Sequence, residues 1–385
     1  MKRPIRCAML TLGLTGSLLL TGCGSNPLAR WFSPIVISPS AESSGEDLSF
    51  TDINLEQVNP EGEKIWTLDA EKVTYEDDKQ LAALAKPSGI LFRSGKASYR
   101  VSGDRGTVNE TASELTLEGN VVLKLLTVDG QVEGEKLTWK PNEARFILEG
   151  NLKGHYQTVN FGGQRAELQE REQQLALSEE VTADLTTDRT RLRTTALTWN
   201  IGQNLVQGVT PVVLEHYAEQ NPGQVLDRAT GDGIRVDLKQ RQFRLSPNAV
   251  IHIGADLDAD RLEIRSQTLV WDRTTEVISS DSPITIAATD GSKIRGNTGE
   301  FNLKSQIATL VGSIEAQHQN PLGNLWADRV QWQVNTDRVE ATGAVRYEQP
   351  STGFKMEGTQ AIGNLASQDI QVKGSQQVRT QYVIP

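Results

Sequence analysis

Several residue types that most enzymes and metal sites depend on are scarce in this chain of 385 residues. It contains two cysteines and four histidines, and only 5% of its residues are aromatic. No cysteine or histidine stands at metal-ligand or catalytic-triad spacing, and no phosphate-binding Gly-Lys-Ser/Thr motif occurs. Acidic residues outnumber basic ones by 49 to 39, and the basic residues form no cluster, which disfavours a nucleic-acid partner. We therefore expect no enzyme activity, no metal and no other cofactor.

Acidic residues could supply a calcium site or a pair of glycosidase carboxylates, but their pattern fits neither. The stretch from Asp256 to Asp260 has the start of calcium-loop spacing, yet Arg261 and Gln267 stand where such a loop needs glycine and glutamate. We interpret it as an acidic surface strand. The other carboxylates are scattered over positions that we expect to face solvent, rather than paired as catalytic groups.

No apolar run is long enough to cross a bilayer. Residues 8–20 follow a basic start and would reach about 20 Å as a helix, short of the roughly 30 Å hydrocarbon core. They are typical of a secretory signal peptide, which we place at residues 1–22. The run ends in Leu20-Thr21-Gly22-Cys23, which resembles a lipoprotein cleavage site and makes Cys23 the predicted lipid anchor. The alternative is an ordinary cleaved signal followed by a chance cysteine.

Residues 23–49 are rich in serine, proline and glycine, so we predict a flexible linker that lifts the folded part off a membrane. Cys7 leaves with the predicted signal peptide, and Cys23 is then the one remaining cysteine. An exported protein without disulfides has to be held together by its own core.

After residue 50 the sequence alternates between apolar and polar residues with period two, the pattern of β-strands. The alternation recurs about every 31 residues. The repeats start at Ala70, Gly103, Gly134, Gly163, Thr194, Gly231, Ser266, Gly296, Ala327 and Gly358. Large apolar residues follow most of these origins at plus 5, with apolar pairs at plus 12 and plus 14. Glycine recurs at plus 16, as Gly119, Gly150, Gly312, Gly343 and Gly374.

Such a period predicts an all-β fold of about ten stacked repeats in two facing sheets. Roughly twenty strands shared between two sheets, about 4.8 Å apart, would form a rod about 50 Å long. We expect the recurrent glycine to mark the bend where the chain crosses from one sheet to the other. Strand alternation would place the periodic apolar side chains between the sheets.

The opening of this region, Asn59-Pro60-Glu61-Gly62 followed by residues 65–75, resembles the start of the LptC family of periplasmic lipopolysaccharide-export proteins. The similarity continues in three stretches between residues 86 and 121. Later repeats, such as residues 137–151, resemble the LptA/OstA repeat of the same pathway.

The resemblance implies an elongated two-sheet β-jelly roll, open along one side, whose apolar groove shields the acyl chains of lipid A. It implies docking of the N-terminal edge on inner-membrane ABC transporter permeases, and of the C-terminal edge on a downstream LptA-like or outer-membrane jelly roll. We predict an LptC-like jelly roll at residues 50–192 and a continuous LptA/OstA-like extension at 193–385. The protein would be periplasmic and membrane-anchored, with the inner membrane favoured. The chain departs from LptC proteins in its lipoprotein signal, where they keep an uncleaved helix, and in its greater length.

Acyl chains carried in such a groove would contact the periodic apolar residues, because exposing each CH₂ to water costs about 0.8 kcal/mol. The predicted groove residues are Tyr75, Val108, Leu115, Leu117, Trp139, Phe146, Leu148, Trp199, Val236, Phe243, Trp271, Phe301 and Trp332. The alternative is a structural or adhesive β-solenoid lipoprotein, in which the same residues only fill a core.

Overall fold

The computed structural model describes residues 48–75, 81–109, 111, 113–221, 223–254, 262–319, 322–364, 369–374 and 379–381. The predicted signal peptide, Cys23, the linker as far as residue 47 and the acidic stretch 256–260 lie outside these residues. Within them the chain forms antiparallel β-strands and three short 3-10 helices, Pro141–Glu143, Thr186–Asp188 and Val334–Thr336. The all-β prediction is confirmed. No helix among the described residues has the length and apolar character needed to cross a membrane.

Long and short strands alternate in blocks along the chain. The first block contains β1 (Leu48–Val58), β2 (Lys64–Tyr75), β3 (Leu81–Ala85), β4 (Ser88–Arg93), β5 (Lys96–Ser102) and β6 (Arg105–Asn109). The second block contains six long strands, β7 (Glu114–Leu125), β8 (Gly130–Lys140), β9 (Arg145–Tyr156), β10 (Val159–Gln169), β11 (Gln174–Leu185) and β12 (Thr190–Asn200).

The rest of the chain forms two further blocks. The block that we call the central segment contains twelve short strands, β13 (Leu205–Gly208), β14 (Val212–Tyr217), β15 (Val225–Gly231), β16 (Ile234–Asp237), β17 (Gln242–Leu245), β18 (Ala249–Ile253), β19 (Leu262–Ser266), β20 (Leu269–Asp272), β21 (Val277–Ser280), β22 (Ile284–Ala288), β23 (Lys293–Gly296) and β24 (Thr298–Asn302). The block that we call the C-terminal segment contains β25 (Ile307–Gln319), β26 (Leu322–Gln333), β27 (Arg338–Gln349), β28 (Phe354–Asn364), β29 (Asp369–Lys373) and β30 (Arg379–Gln381).

Each long strand bends midway and contributes one half to each of two facing sheets. In β8, residues 131–134 pair with β7 in one sheet and residues 136–139 pair with it in the other, and the register shifts between the two halves. The short strands divide the same path into separate halves, as β3 and β4 do beside β2. We call the sheet that contains Trp139 sheet I, and the sheet that contains Tyr156 sheet II.

Because every bent strand adds a rung to both sheets, each sheet has roughly twenty rungs and extends about 100 Å. The predicted length of about 50 Å is wrong, since it divided the strands between the sheets instead of passing each strand through both. The predicted boundary after residue 192 lies inside β12, which pairs with β11 on both sides of it. The first strand begins at Leu48, just before the predicted end of the linker.

The chain crosses between the sheets mainly in two ways, while the corner of β11 has Glu179 and Glu180 with positive φ instead. At Gly119, Gly150, Gly312 and Gly343 the backbone has positive φ and the register shifts, as predicted for the recurrent glycine. At Gly343, where φ is +100°, an added Cβ would clash with the Asp328 carboxylate. Four repeats that lack the glycine carry a proline instead, which separates the two half-strands because proline cannot donate to the ladder. These prolines are Pro87, Pro211, Pro247 and Pro283.

Side-chain hydrogen bonds join neighbouring crossings along this side of the molecule. The bonded pairs include Asp104–Asn120 at 2.8 Å, Gln164–Glu180 at 3.1 Å, Thr194–Thr210 at 2.7 Å and Asp232–Asn248 at 2.7 Å. The crossings and their hydrogen bonds close this side. On the opposite side the hairpin turns of the two sheets face each other, and we call that side the mouth.

Candidate functional site: an apolar cavity between the sheets

All thirteen predicted groove residues point between the sheets and are buried, with exposures from 0% at Phe146 to 7% at Tyr75. Eleven of them belong to one row of directly paired residues that crosses sheet I from Tyr75 to Ile370. The other two, Leu117 and Leu148, lie in the row beside it. We call the row from Tyr75 to Ile370 the main row. Its second half consists of Val236, Phe243, Trp271, Ile278, Phe301, Ala308, Trp332, Val339, Gly363 and Ile370.

Large side chains fill this row through the second block and the central segment. Trp139 stacks on Phe146 with 5.8 Å between ring centroids. Phe243 and Phe301 are 0% exposed and Trp271 is 1% exposed. At these rungs the two sheets are therefore joined by a packed core.

An apolar cavity of about 550 Å³ opens between the sheets at the C-terminal segment. Val330, Trp332 and Ala341 of sheet I line one wall, and Leu325 and Tyr347 of sheet II line the facing wall. The rim is polar and includes Ser292, Lys293, His318, Gln317 and Asn364.

Small residues at inward positions explain why space remains here. After Trp332 the main row of sheet I changes to Val339 and Gly363, which both line the cavity. The neighbouring row carries Ala341 paired with Ala361. Protein cores are close-packed, so alanine and glycine at positions that hold leucine or phenylalanine elsewhere leave unfilled volume.

Two polar groups of aromatic side chains belong to the cavity wall. The indole N–H of Trp332 has no hydrogen-bond acceptor among the described residues. Burial raises the pKa of the Tyr347 hydroxyl above its ordinary value, so this group stays neutral at physiological pH. At the rim the Ser292 hydroxyl lies 2.8 Å from His318 Nδ1. The cavity therefore has an uncharged interior and a polar border.

The cavity contains one of the predicted groove residues, Trp332. Trp199 borders a smaller cavity of about 290 Å³ at the mouth, together with Leu185 and Leu238. Leu325, Tyr347 and the alanines of the C-terminal cavity are not among the predicted groove residues, because the prediction depends on large residues at periodic positions. The informative signal is the loss of size at inward positions after residue 301.

Within the described residues, side-chain hydrogen bonds bridge the mouth at three places. The Tyr99 hydroxyl of sheet II donates to Glu170 at 2.7 Å, and Arg241 of sheet I donates to Asp188 at 2.6 Å. Further along, Arg273 contacts His216 at 2.7 Å. The prediction that carboxylates face solvent is wrong at Glu170, Asp188, Glu215 and Asp227, which are 9%, 5%, 6% and 7% exposed. A carboxylate can be buried here because a hydrogen-bond donor meets it.

Both ends of the rod present unpaired strand edges among the described residues. β1 pairs with β2 and with no other described strand. At the other end, β29 and β30 pair only with β28 within the described part of the chain. An open edge can accept a further strand from another chain.

The fold and cavity define an elongated two-sheet β protein with an apolar interior space. A family described as lipopolysaccharide-assembly, LptC-related, matches residues 18–147 and 236–319, more than half of the chain. The chain belongs to this LptC-related family. It is accordingly a periplasmic component of lipopolysaccharide transport, and its family consists of transport proteins rather than enzymes.

Among solved structures, the chain is similar to LptH of Pseudomonas aeruginosa, the LptA homologous periplasmic component of the lipopolysaccharide transport device. The identity is 19%, the match covers 33% of this chain and 99% of that chain, and the TM-score is 0.29. No curated protein sequence matches this chain significantly.

Proposed function

We propose that this protein carries lipopolysaccharide by burying its acyl chains in the C-terminal cavity between the two sheets. The observation that supports the proposal most directly is the cavity of about 550 Å³ with a wall of leucine, valine, alanine and aromatic residues. Its size lies in the range of roughly 300–1,000 Å³ that small-molecule sites occupy. The uncharged wall suits a hydrocarbon chain, and the polar rim suits the saccharide to which the chain is attached.

The position of the cavity also suits the transfer of lipid from this protein to the next one. The cavity reaches Ile370 of β29, an edge strand of the C-terminal segment. A downstream jelly roll that added a strand to β29 or β30 would extend the cavity wall into the next protein. The edge at β1 would face the inner-membrane ABC transporter permeases in the same way. In this proposal Cys23 carries the lipid anchor that holds the chain at the inner membrane.

The proposed division of labour follows the two predicted segments. Residues 50–192 would form the LptC-like part next to the transporter, and residues 193–385 the LptA/OstA-like part that ends at the cavity. Packed rungs in the central segment mean that acyl chains would not contact all the predicted groove residues equally. Trp332 would contact them, whereas Trp271 would mainly pack the core.

A photoreactive phenylalanine analogue at Tyr347 tests the proposal. In cells with active export, we expect an ultraviolet-dependent crosslink to lipopolysaccharide. Trp271 is the matched interior control and Lys355, an exposed residue on the outer side of β28, is the matched exterior control. We expect neither control to label. Equal labelling at Tyr347 and Lys355, or no labelling at Tyr347 in a folded protein, would refute the proposal.

The packed central rungs favour the alternative, a structural β-solenoid, for that segment taken alone. A solenoid with a filled core would give no lipid crosslink at any interior position. The same experiment therefore separates the two functions.

A further inference from the structure

An apolar inward row of sheet II is interrupted by polar residues at the mouth, where the second block meets the central segment. Along paired neighbours the row reads Tyr156, Val159, Leu185, Thr190, His216, Asp227, Ile253 and Leu262. Thr190, His216 and Asp227 are 3%, 6% and 7% exposed. Three consecutive polar side chains in an apolar row are costly to bury unless they are paired.

We call the hairpin turns of each sheet at the mouth the lip of that sheet. The lip of sheet I, which faces this row, also has polar residues at positions that are otherwise apolar. Its hairpin turns carry equivalent residues whose backbone N–H donates to a carbonyl of the preceding turn, and these are Glu170, Ile201, Leu238, Arg273, Leu303 and Val334. Four of the six are apolar and pack against the core. The two polar members are Glu170, which Tyr99 bridges, and Arg273, which is 4% exposed and lies opposite His216. An arginine from one sheet and a histidine from the other thus replace an ordinary apolar contact.

Hydrogen-bond geometry sets the protonation state of His216. Arginine can only donate, so the 2.7 Å contact from Arg273 Nη2 requires His216 Nε2 to accept and to carry no proton. His216 Nδ1 then bears the hydrogen and donates to Asp227 Oδ2 at 2.9 Å. Arg273 is further held by Glu276 at 2.9 Å. The closed mouth therefore contains a neutral histidine.

Other charged groups near the bridge do not alter this requirement. Asp188 and Arg241 form their own bridge beside it at 2.5 Å. Thr190, the neighbour of His216 on β12, directs its hydroxyl to the Asp188 carbonyl at 3.0 Å. The ring of Trp271 meets His216 edge to face at 5.9 Å and lies under Arg273. Asp227 is the carboxylate that contacts the imidazole, and Arg273 is the cation that contacts it.

We propose that the Asp227–His216–Arg273 bridge is an acid-sensitive gate that holds the two lips of the central segment together while His216 is neutral. Protonation of Nε2 removes the acceptor for Arg273 and places two cations against each other. The lips of the two sheets then separate at the bridge. The closed state binds one proton fewer than the open state, so closure strengthens as pH rises and is lost as pH falls. As a control on lipid passage this gate rests on the proposed function, but its opening can be measured without lipid.

The test measures the distance between the lips in the full chain with Cys7 and Cys23 replaced by serine. Nitroxide labels at Q220C in the sheet II turn and T275C in the sheet I turn report the separation, since both positions are exposed. We expect a single short-distance population at about pH 7.5 and an added longer population at about pH 5, because a proton on Nε2 removes the acceptor that holds Arg273. Circular dichroism at both pH values verifies that the fold is kept.

Two variants keep the result interpretable. His216→Gln retains an acceptor for Arg273 and a donor for Asp227 but cannot gain a proton, so its distances should not change with pH. His252→Gln, on the outer side of the neighbouring β18, should shift as the unsubstituted chain does. Imidazole ¹⁵N shifts should also show His216 protonated at Nδ1 at about pH 7.5.

The proposal is overturned by a pH-independent distance in the chain with His216, by an equal shift in His216→Gln, or by an Nε2–H tautomer. Lipid crosslinking at Tyr347 is read separately at neutral pH with the gate closed. A failure of that crosslink would count against the proposed function and would leave the gate measurement unaffected.

Discussion

The central and C-terminal segments share one inward row of paired residues in sheet I, but the space between the sheets is filled to different degrees in the two segments. In the central segment Phe243, Trp271 and Phe301 fill it, and charged side chains bridge the two sheets at the mouth. In the C-terminal segment the row changes to alanine, valine and glycine, and a cavity of about 550 Å³ remains. Both segments have the same backbone architecture, so the volume of the inward side chains decides whether a repeat has a packed core or encloses a cavity.

Truncating a tryptophan in each segment gives the largest expected difference. We expect Trp271→Ala to lower the free energy of unfolding by about 3–5 kcal/mol, since it leaves a cavity in a packed core. Trp332→Ala should cost about half as much, because the indole already borders empty space. Urea denaturation midpoints measure both. Equal losses would mean that the C-terminal cavity is as tightly packed as the central core.

Enlarging an inward alanine in each segment should have opposite consequences. Ala249→Leu in β18 forces extra atoms into a packed site and should cost about 1–3 kcal/mol. Ala341→Leu in β27 extends into the cavity, so its stability should be unchanged or higher. The same Ala341→Leu change should reduce lipid crosslinking at Tyr347 to background. Retained crosslinking in a folded Ala341→Leu variant would place the lipid elsewhere.

The two kinds of crossing should differ in their tolerance of alanine. Gly343→Ala requires a left-handed backbone and a clash with Asp328, so we expect a loss of about 1–2 kcal/mol. Pro283→Ala should cost less than about 1 kcal/mol, since alanine can adopt the backbone of proline and loses only its restriction of the unfolded chain. Thermal unfolding of both variants compares them. A larger loss at Pro283 would show that proline, rather than glycine, is the essential corner residue.

A smaller difference should appear in the pH dependence of stability. Burial alone would raise the pKa of the Glu215 carboxyl, but hydrogen bonds from Tyr217 and Arg193 and the charge of Arg193 outweigh it and hold this pKa below its ordinary value. A depressed folded-state pKa stabilises the protein above the ordinary glutamate value, and this stabilisation is lost as pH falls through the folded pKa.

Glu215→Gln should therefore lower stability at neutral pH by up to about 1 kcal/mol and should flatten its decline in acid. Glu348→Gln in the C-terminal segment is the matched control, because its contacts with Lys355 and Arg346 are long and exposed. Thermal unfolding across the acid range compares the two variants. An identical profile for Glu215→Gln and the unsubstituted chain would show that the cluster around Glu215 does not stabilise the fold.

Much of the fold could be predicted because strand alternation and a recurrent corner residue are local features. Trp139, Trp271 and Phe301 were placed between the sheets by alternation alone, and all three are buried there. The glycine crossings followed from the same register. The glycine repeats predict a crossing between the sheets, whereas repeats with a proline corner, such as Pro87 and Pro283, carry no such signal in the sequence.

The mouth could not be predicted for a different reason. Glu170 meets Tyr99, and His216 meets Arg273, across many residues of sequence. Each of these residues taken alone resembles an ordinary surface group, and nothing within its own repeat indicates a partner. Such pairs can be identified only in the folded structure, where the turns of the two sheets lie opposite each other.

The amino-acid sequence by itself determined the all-β fold, the inward rows and the LptC-related family, because periodicity and family motifs depend on residues near one another in the chain. Only the tertiary structure decided where the interior is filled, where it is open and where it is bridged. The free volume and the charge pairs of that interior depend on side chains from both sheets, and these side chains meet only after the chain has folded.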